Sequence, residues 1–341
     1  MKKILVTGAA GFIGFHLCKL LLENNYSVIG LDNINDYYDT NLKYARLKEL
    51  GISKEEASVF FKRVESFSHK TFSFFRIDIE DKENLEKIFQ KENFDVVVNL
   101  AAQAGVRNSI ENPEDYINSN IYGFFNILEN CKNTQVKHLI YASSSSVYGM
   151  NEKIPFDVED KVDNPISMYA ATKKTNELMA HVYSHLYKIQ TTGLRFFTVY
   201  GPWGRPDMAP MLFADAISKN QSIKVFNKGK MQRDFTYVDD IVSGILQVVE
   251  KTKSTRDTYK LYNIGNSVPV KLMDFISCIE KGFDKEAEKN MLPMQPGDVE
   301  RTWANVDGLK EDYNYQPKTA IETGVDAFIS WFKDYNKTTI D

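Results

Sequence analysis

Cysteine and histidine are scarce in this chain, with three of the former and five of the latter among 341 residues. Cys18, Cys131 and Cys278 are odd in number, far apart and set in apolar or helix-like surroundings. That argues against a disulfide framework and for free thiols in a reducing compartment. His181 and His185 stand four apart, as in some zinc sites, but no Glu follows His181 and the sequence offers no third ligand, so no metal is expected. Long apolar runs are missing as well. Ile4-Leu5-Val6 stops at Thr7-Gly8, too short for an export signal or a bilayer span, and the chain reads as a soluble, cytoplasmic protein without a membrane partner. Nor is there an excess of one charge: the net value is -4, with acids and bases interspersed. A nucleic-acid partner is therefore not expected, and an anionic ligand would have to be held by local arginines and backbone amides.

Apolar residues make up 43% of the chain, enough for one large domain or two joined lobes. Short runs rich in Val, Ile and Phe recur at 4–7, 27–32, 73–78, 96–101, 138–143 and 193–197. Amphipathic stretches at 12–24, 84–90, 121–132 and 167–187 lie between them. Nearly unbroken apolar strands alternating with helices predict an α/β fold, a doubly wound parallel sheet covered on both faces. About forty residues separate the second and third strands, and 37–50 and 55–67 read as extra charged helices in that insertion. After the turn-rich 201–206 the pattern breaks into short mixed elements, as expected of a smaller C-terminal lobe closing over a ligand. The expected division is 1–198 for the first domain, with 235–265 returning to it, and 199–234 with 266–341 for the lobe.

The first strand runs into Gly8-Ala9-Ala10-Gly11-Phe12-Ile13-Gly14, which opens a helix. Glycines at this spacing allow a tight turn, close backbone approach to a pyrophosphate and close helix–strand packing, the fingerprint of a Rossmann dinucleotide site. Asp32, at the end of the second strand and next to Asn33, can accept from an adenosine ribose and repel an extra phosphate, so NAD rather than NADP is the expected cofactor. Asp78-Ile79 suits either an adenine contact or, at Asp78, a helix N-cap. Ala101-Ala102-Gln103 offers small side chains past which a dinucleotide can run, and Leu100 before it belongs to the same expected set. Asn120, Ser143 and Phe196 complete the expected cofactor set, together with Tyr169 and Lys173.

Tyr169 and Lys173 are four apart on a helix and so share a face. A phenol with pKa about 10 is a poor base at neutral pH. An ammonium about 4 Å away would favour phenolate by roughly 4 kcal/mol at an effective dielectric of about 20, or about three pKa units. The run Ser143-Ser144-Ser145-Ser146 ends the strand just upstream, where a hydroxyl can bond a reacting oxygen and relay its proton.

With the glycine turn, these residues resemble the extended short-chain dehydrogenase/reductase family acting on sugar nucleotides. The resemblance covers essentially the whole chain, including Ser143 to Gly149, Arg195 to Pro202, Arg233-Asp234-Phe235 and Pro296-Gly297-Asp298. It implies that Ser144, Tyr169 and Lys173 are catalytic, with Ser145 and Ser146 close enough to leave the choice of serine open. It implies diphosphate and ribose contacts at Arg233 and Asp298, and sugar-nucleotide contacts at Ser145, Ser146, Thr198, Met208, Val225 and Phe226. It also implies a homodimer, for which 121–132 and 167–187 are the expected contact helices. A 4,6-dehydratase of this family usually carries Thr-Asp-Glu beside the serine; the run Ser144-Ser145-Ser146 has no carboxylate, which argues for C4 epimerisation through a transient 4-ketone.

Gly204-Arg205-Pro206-Asp207-Met208, Gln103 to Arg107 and Asn35 to Asp39 are similar to the UDP-glucuronate 4-epimerases. An arginine fork pairs bidentately with a hexuronate carboxylate and could hold it away from the alignment in which a β-keto acid loses carbon dioxide. Arg205 suits that clamp or a loop pair with Asp207, and Arg107 suits the sugar pocket or the surface. Epimerisation of a neutral UDP-hexose is the runner-up, and decarboxylation to a UDP-pentose comes third. A cofactor-sensing protein without chemistry would typically lack the tyrosine or lysine, and both are present.

Overall fold

The computed structural model describes residues 1–251, 258–295 and 299–338. In chain order the strands are β1 (Lys3–Thr7), β2 (Ser27–Asp32), β3 (Arg63–Glu65), β4 (Phe72–Arg76), β5 (Val96–Asn99), β6 (His138–Ser144), β7 (Gln190–Phe196), β8 (Thr198–Tyr200), β9 (Ile223–Val225), β10 (Gln232–Tyr237), β11 (Tyr259–Ile264), β12 (Pro269–Lys271), β13 (Lys289–Met291) and β14 (Arg301–Thr302). Eight of them form one sheet in the order β11-β7-β6-β5-β1-β2-β4-β3. Its pairs are parallel apart from the edge strand β3, which runs antiparallel to β4.

Alternation along β1 shows why both faces are covered. Ile4 and Val6 join one apolar core, which includes helices Phe12–Glu23 and Val238–Glu250, while Leu5 points into a second core with Lys82–Glu92, Phe124–Asn133 and Ala180 of Met168–Tyr187. The chain builds outward from β1 through β2 to β4, then returns to β5 on the other side of β1. That reversal opens a crevice at the carboxyl ends of β1 and β5, where ligands of such sheets bind. A second sheet, β12-β10-β14 with β8 beside β10, and the pair β13-β9 accompany a third core containing Phe213, Phe235, Phe275 and Phe328.

Three elements differ from the expectation. Helix Thr40–Glu49 forms within the insertion, but the helix expected over 55–67 ends after Lys54–Ala57. Phe61 turns to φ 62°, and Arg63-Val64-Glu65 then alternates outward, inward and outward, which suits an edge strand pairing with β4. The stretch 121–132 is not one α-helix: a π-helical turn, Ile117–Gly123, precedes Phe124–Asn133. A Cβ at Gly123 would come within 2.6 Å of Ile79, so this segment lies close against the loop after β4. Finally, Ala304, Val306, Leu309, Tyr313 and Tyr315, expected in the smaller lobe, pack in the first core of the large sheet. Their apolar faces cover β11 and the helix Val238–Glu250. β11 itself, from within 235–265, lies in the large sheet beside β7. Among the described residues no helix is long and apolar enough to cross a membrane.

Candidate active site

The turn after β1 is built for close backbone approach. Gly8 sits at φ +73°, and a Cβ there would lie 2.9 Å from the Ala101 nitrogen; at Gly14 it would lie 2.0 Å from the Gly8 carbonyl oxygen. Only glycine fits such a turn. Helix Phe12–Glu23 begins at Gly11 with no side-chain cap and no acidic residue in its first turn, so its leading amides suit an anion. A cleft enclosing about 1120 Å³, its open mouth included, lies there. It is lined by Gly8, Gly11, Phe12, Ile13, Gly14, Asp32, Asn33, Asp78, Ile79, Leu100, Ala101, Ala102, Gln103, Ser143, Tyr169, Lys173, Phe196 and Arg205. The glycine cradle, the bare helix start and the carboxylate at the end of β2 fit a dinucleotide.

Asn120 is the one expected cofactor residue that does not line this cleft. Its amide is spent within the protein: it accepts from the Gln103 amide at 2.8 Å and donates to the Gln103 carbonyl at 3.0 Å and to Thr172 at 3.0 Å. It therefore fixes the backbone that faces the cleft. Asp32 accepts from the Ala10 and Ile34 amides at 3.1 and 2.8 Å. Lys43, buried on the insertion helix, brings its ammonium to 3.9 Å from Asp32 and donates to Asn35 at 2.7 Å. Sequence reasoning missed Lys43. Asp78 is not the cap of the following helix; Asp81 is, accepting from the Asn84 amide at 3.1 Å, while Asp78 accepts from the Asn33 side chain at 2.9 Å.

Helix Met168–Tyr187, capped by Ser167, brings Tyr169 and Lys173 into the cleft beside the end of β6. Lys173 donates to the Ala142 carbonyl at 2.9 Å and lies 5.8 Å from the centre of the Tyr169 ring. Burial pushes the Lys173 ammonium down to about 8. Burial also pushes the Tyr169 phenol up, against a hydrogen bond with Ser144 and the charge of Arg205, which pull it back. Arg205 is thus a cation that pulls the phenol down, and Lys173, 5.8 Å from the ring, is anchored beside it on the Ala142 carbonyl. Among the serines, Ser143 turns to donate to Glu177 at 2.6 Å. Ser144 is the one bonded to Tyr169, and its hydroxyl also donates to Ser146 at 3.1 Å. Tyr116, not anticipated, packs edge-on at 6.1 Å from the Tyr169 ring and donates to the Gly105 carbonyl at 2.7 Å.

Arg205 reaches the same cleft from the loop after β8, its fork held by Asp207 at 3.0 and 2.5 Å. Both readings of Arg205, clamp and loop pair, are thus geometrically compatible. Met208 lies at the cap of helix Ala209–Ser218, beside Arg205 in a smaller pocket with Phe12 and Gly204. Arg107 is exposed and stacks on Phe226 at 5.3 Å. Val225 has its side chain fully buried in the lobe core, because β9 turns it inward, and its carbonyl accepts from the Leu292 amide at 2.9 Å. Thr198 pairs in β8 with Phe235, and Arg233, on β10, donates to the Gln232 and Glu300 carbonyls at 3.0 Å. Asp298 lies outside the described residues. The rings of His181 and His185 stack 6.4 Å apart, with His181 edge-on to Tyr259.

Residues 4–265 match the NAD dependent epimerase/dehydratase family. CapI of Staphylococcus aureus is 52% identical, across 98% of this chain and 99% of its own. A probable UDP-glucuronate 4-epimerase of Rhizobium meliloti is 43% identical, across 97% of this chain and 96% of its own. Among solved structures, the UDP-glucuronic acid 4-epimerase from Bacillus cereus, in complex with UDP-glucuronic acid and NAD, superposes with a TM-score of 0.86 at 35% identity, covering 98% of this chain and 99% of that one. The family match spans most of the chain and meets a cleft that gathers the glycine turn, Tyr169 and Lys173; the chain belongs to the NAD dependent epimerase/dehydratase family.

Proposed function

We propose that this protein is an NAD-dependent isomerase that inverts C4 of a UDP-hexuronate, interconverting UDP-glucuronate and UDP-galacturonate. The observation that carries the reading is the placement of Arg205 in the same cleft as Tyr169 and Lys173. One fork for a carboxylate thus sits within reach of one base for a hydroxyl. The substrates of the relatives named above support the same reading.

When bound, NAD would supply a hydride acceptor for C4 and a donor for its return to the opposite face of the sugar. The glycine turn and the amides of helix Phe12–Glu23 would hold its pyrophosphate, and Asp32 its adenosine ribose. Tyr169 takes the proton of the C4 hydroxyl and later gives one back, with Ser144 bonded to the phenol and able to bridge it to the sugar oxygen. Lys173 stands behind the ring, anchored to Ala142. Arg205 grips the uronate carboxylate and Arg233 serves the diphosphate. The run Ser144-Ser145-Ser146 provides no carboxyl acid for water loss, which favours return of the hydride to the ketone over dehydration.

Two copies are proposed to pair through helix Met168–Tyr187, where Leu178, Val182 and Leu186 form an exposed apolar stripe at i, i+4 and i+8. Free Cys18, Cys131 and Cys278 suit a reducing, cytoplasmic setting. The deciding experiment incubates purified protein with UDP-glucuronate and, separately, UDP-glucose, and identifies products by NMR. UDP-galacturonate is expected; faster turnover of the neutral sugar would overturn the uronate reading.

A further inference from the structure

A long arginine on a surface loop is a poor clamp unless something holds its guanidinium. Asp207 takes the Nε and Nη2 edge of Arg205 at 3.0 and 2.5 Å. A guanidinium has a second edge, formed by Nη1 and Nη2, with the same two-donor geometry. With Asp207 on the inner edge, an incoming carboxylate meets the outer one.

Asp207 is itself positioned by the insertion. The Tyr37 hydroxyl donates to Asp207 at 3.2 Å, and the Tyr37 ring lies 5.8 Å from the Arg205 guanidinium. Tyr37 is wedged against Gly105, where a Cβ would come 2.6 Å from its oxygen. The loop backbone is fixed independently. Arg46, fully buried, donates to the Trp203 carbonyl at 2.6 Å, to Gly204 at 3.3 Å and to Ala10 in the glycine turn at 2.8 Å. Removing the Asp207 carboxylate therefore frees the Arg205 side chain without releasing its loop. Asp207 is exposed and supports no core.

We propose that Asp207, held by Tyr37, is the positioning residue of the uronate clamp: it fixes Arg205 so that the outer edge alone meets the substrate carboxylate. The proposal rests on the uronate reading and deepens it. A carboxylate so held keeps its C5–C6 bond from standing perpendicular to the plane of the C4 carbonyl, the alignment in which it would break. Once it swings free at the 4-ketone stage, the C5–C6 bond breaks and carbon dioxide leaves. The bonding pair enters the C4 carbonyl as an enolate, and a proton from water adds at C5. Asp207 thereby governs both preference for the charged sugar and retention of its carboxyl.

The test uses Asp207→Asn, Tyr37→Phe, Arg205→Ala and the double variant Asp207→Asn/Arg205→Ala in the full-length enzyme. kcat/KM is measured on UDP-glucuronate and UDP-glucose, and decarboxylated products are followed by NMR. Asp207→Asn should lose about tenfold or more on the uronate, little on the neutral sugar, and release UDP-pentose products. Tyr37→Phe should move both readouts the same way by less. The double variant should match Arg205→Ala, since Asp207 acts only through it. A gain on the uronate in Asp207→Asn would overturn the proposal, making Asp207 a competitor for the fork; equal losses on both sugars would overturn it too. If Arg205→Ala itself fails to discriminate, the uronate reading falls and the proposal with it. If Arg205→Ala discriminates and Asp207→Asn does not, the proposal alone falls.

Discussion

Arg195 and Glu177 form a two-bond ion pair inside the protein, Nε to Oε1 at 2.8 Å and Nη2 to Oε2 at 2.9 Å, with side-chain exposures of 2% and 1%. Arg195 stands on β7, and Glu177 lies on the helix of Tyr169 and Lys173, one turn beyond the lysine. Ser143, next to Ser144, donates to the same carboxylate at 2.6 Å. The pair thus ties the strand of the serine to the helix of the base. Burial alone would raise the Glu177 carboxyl, but Arg195 and Ser143 outweigh it and hold it below its usual range.

Glu177→Ala would leave the Arg195 charge buried without its partner, a loss of about 3–5 kcal/mol in unfolding free energy. Glu177→Gln, which keeps the shape, should lose less. Denaturant midpoints decide it: a change under about 1 kcal/mol, the level of an exposed pair, would mean that the pair is not what joins strand and helix.

Tyr169→Phe keeps the ring against Tyr116 and removes only the hydroxyl bonded to Ser144. Turnover should fall about 10²–10⁴-fold, the range of general acid–base contributions, with unchanged circular dichroism and NAD content. Near wild-type activity would remove Tyr169 from the role of base.

What the sequence made legible follows from burial. Strands such as β1 and β5 are covered on both faces, so Ile4-Leu5-Val6 and Val96-Val97-Val98 stand out as apolar runs. β3 carries no such mark, because a three-residue edge strand shows only Val64 to the core. Lys43 and Arg46 were unreadable for the opposite reason. Charged residues on an insertion helix look like a solvated face, and only the tertiary fold turns them under the glycine turn and the 203–204 loop. Asn120 and Val225 turn their side chains into the protein, an orientation that spacing does not encode.

The stripe Leu178, Val182 and Leu186, with Tyr122 exposed at 47% on the neighbouring π-helical turn, predicts a homodimer by light scattering. Leu178→Glu with Leu186→Glu should give a folded monomer, since both side chains are exposed within one copy. A monomeric wild-type mass across working concentrations would count against this surface.

Lys173 gives a pH signature with two opposite limbs. Burial holds its ammonium down at about 8 in the folded protein, against an ordinary 10.5. Below pH 8 both folded and unfolded chains carry the proton, and the cost of burying the charge is fully present. Between 8 and 10.5 the unfolded chain still binds a proton that the folded one has released, so stability rises with pH across that window and levels off above it. Activity runs the other way. Loss of the ammonium beside Tyr169 removes a charge from the catalytic group, and turnover should fall as pH passes about 8. Lys173→Met isolates the effect, because it cannot titrate and other groups are unchanged. The unfolding free energy of wild type minus that of Lys173→Met, measured on NAD-free protein, should climb from pH 8 to 10.5. A flat difference would show that Lys173 titrates in the folded protein as it does in water, and its burial would then have no part in setting the alkaline limit of the enzyme.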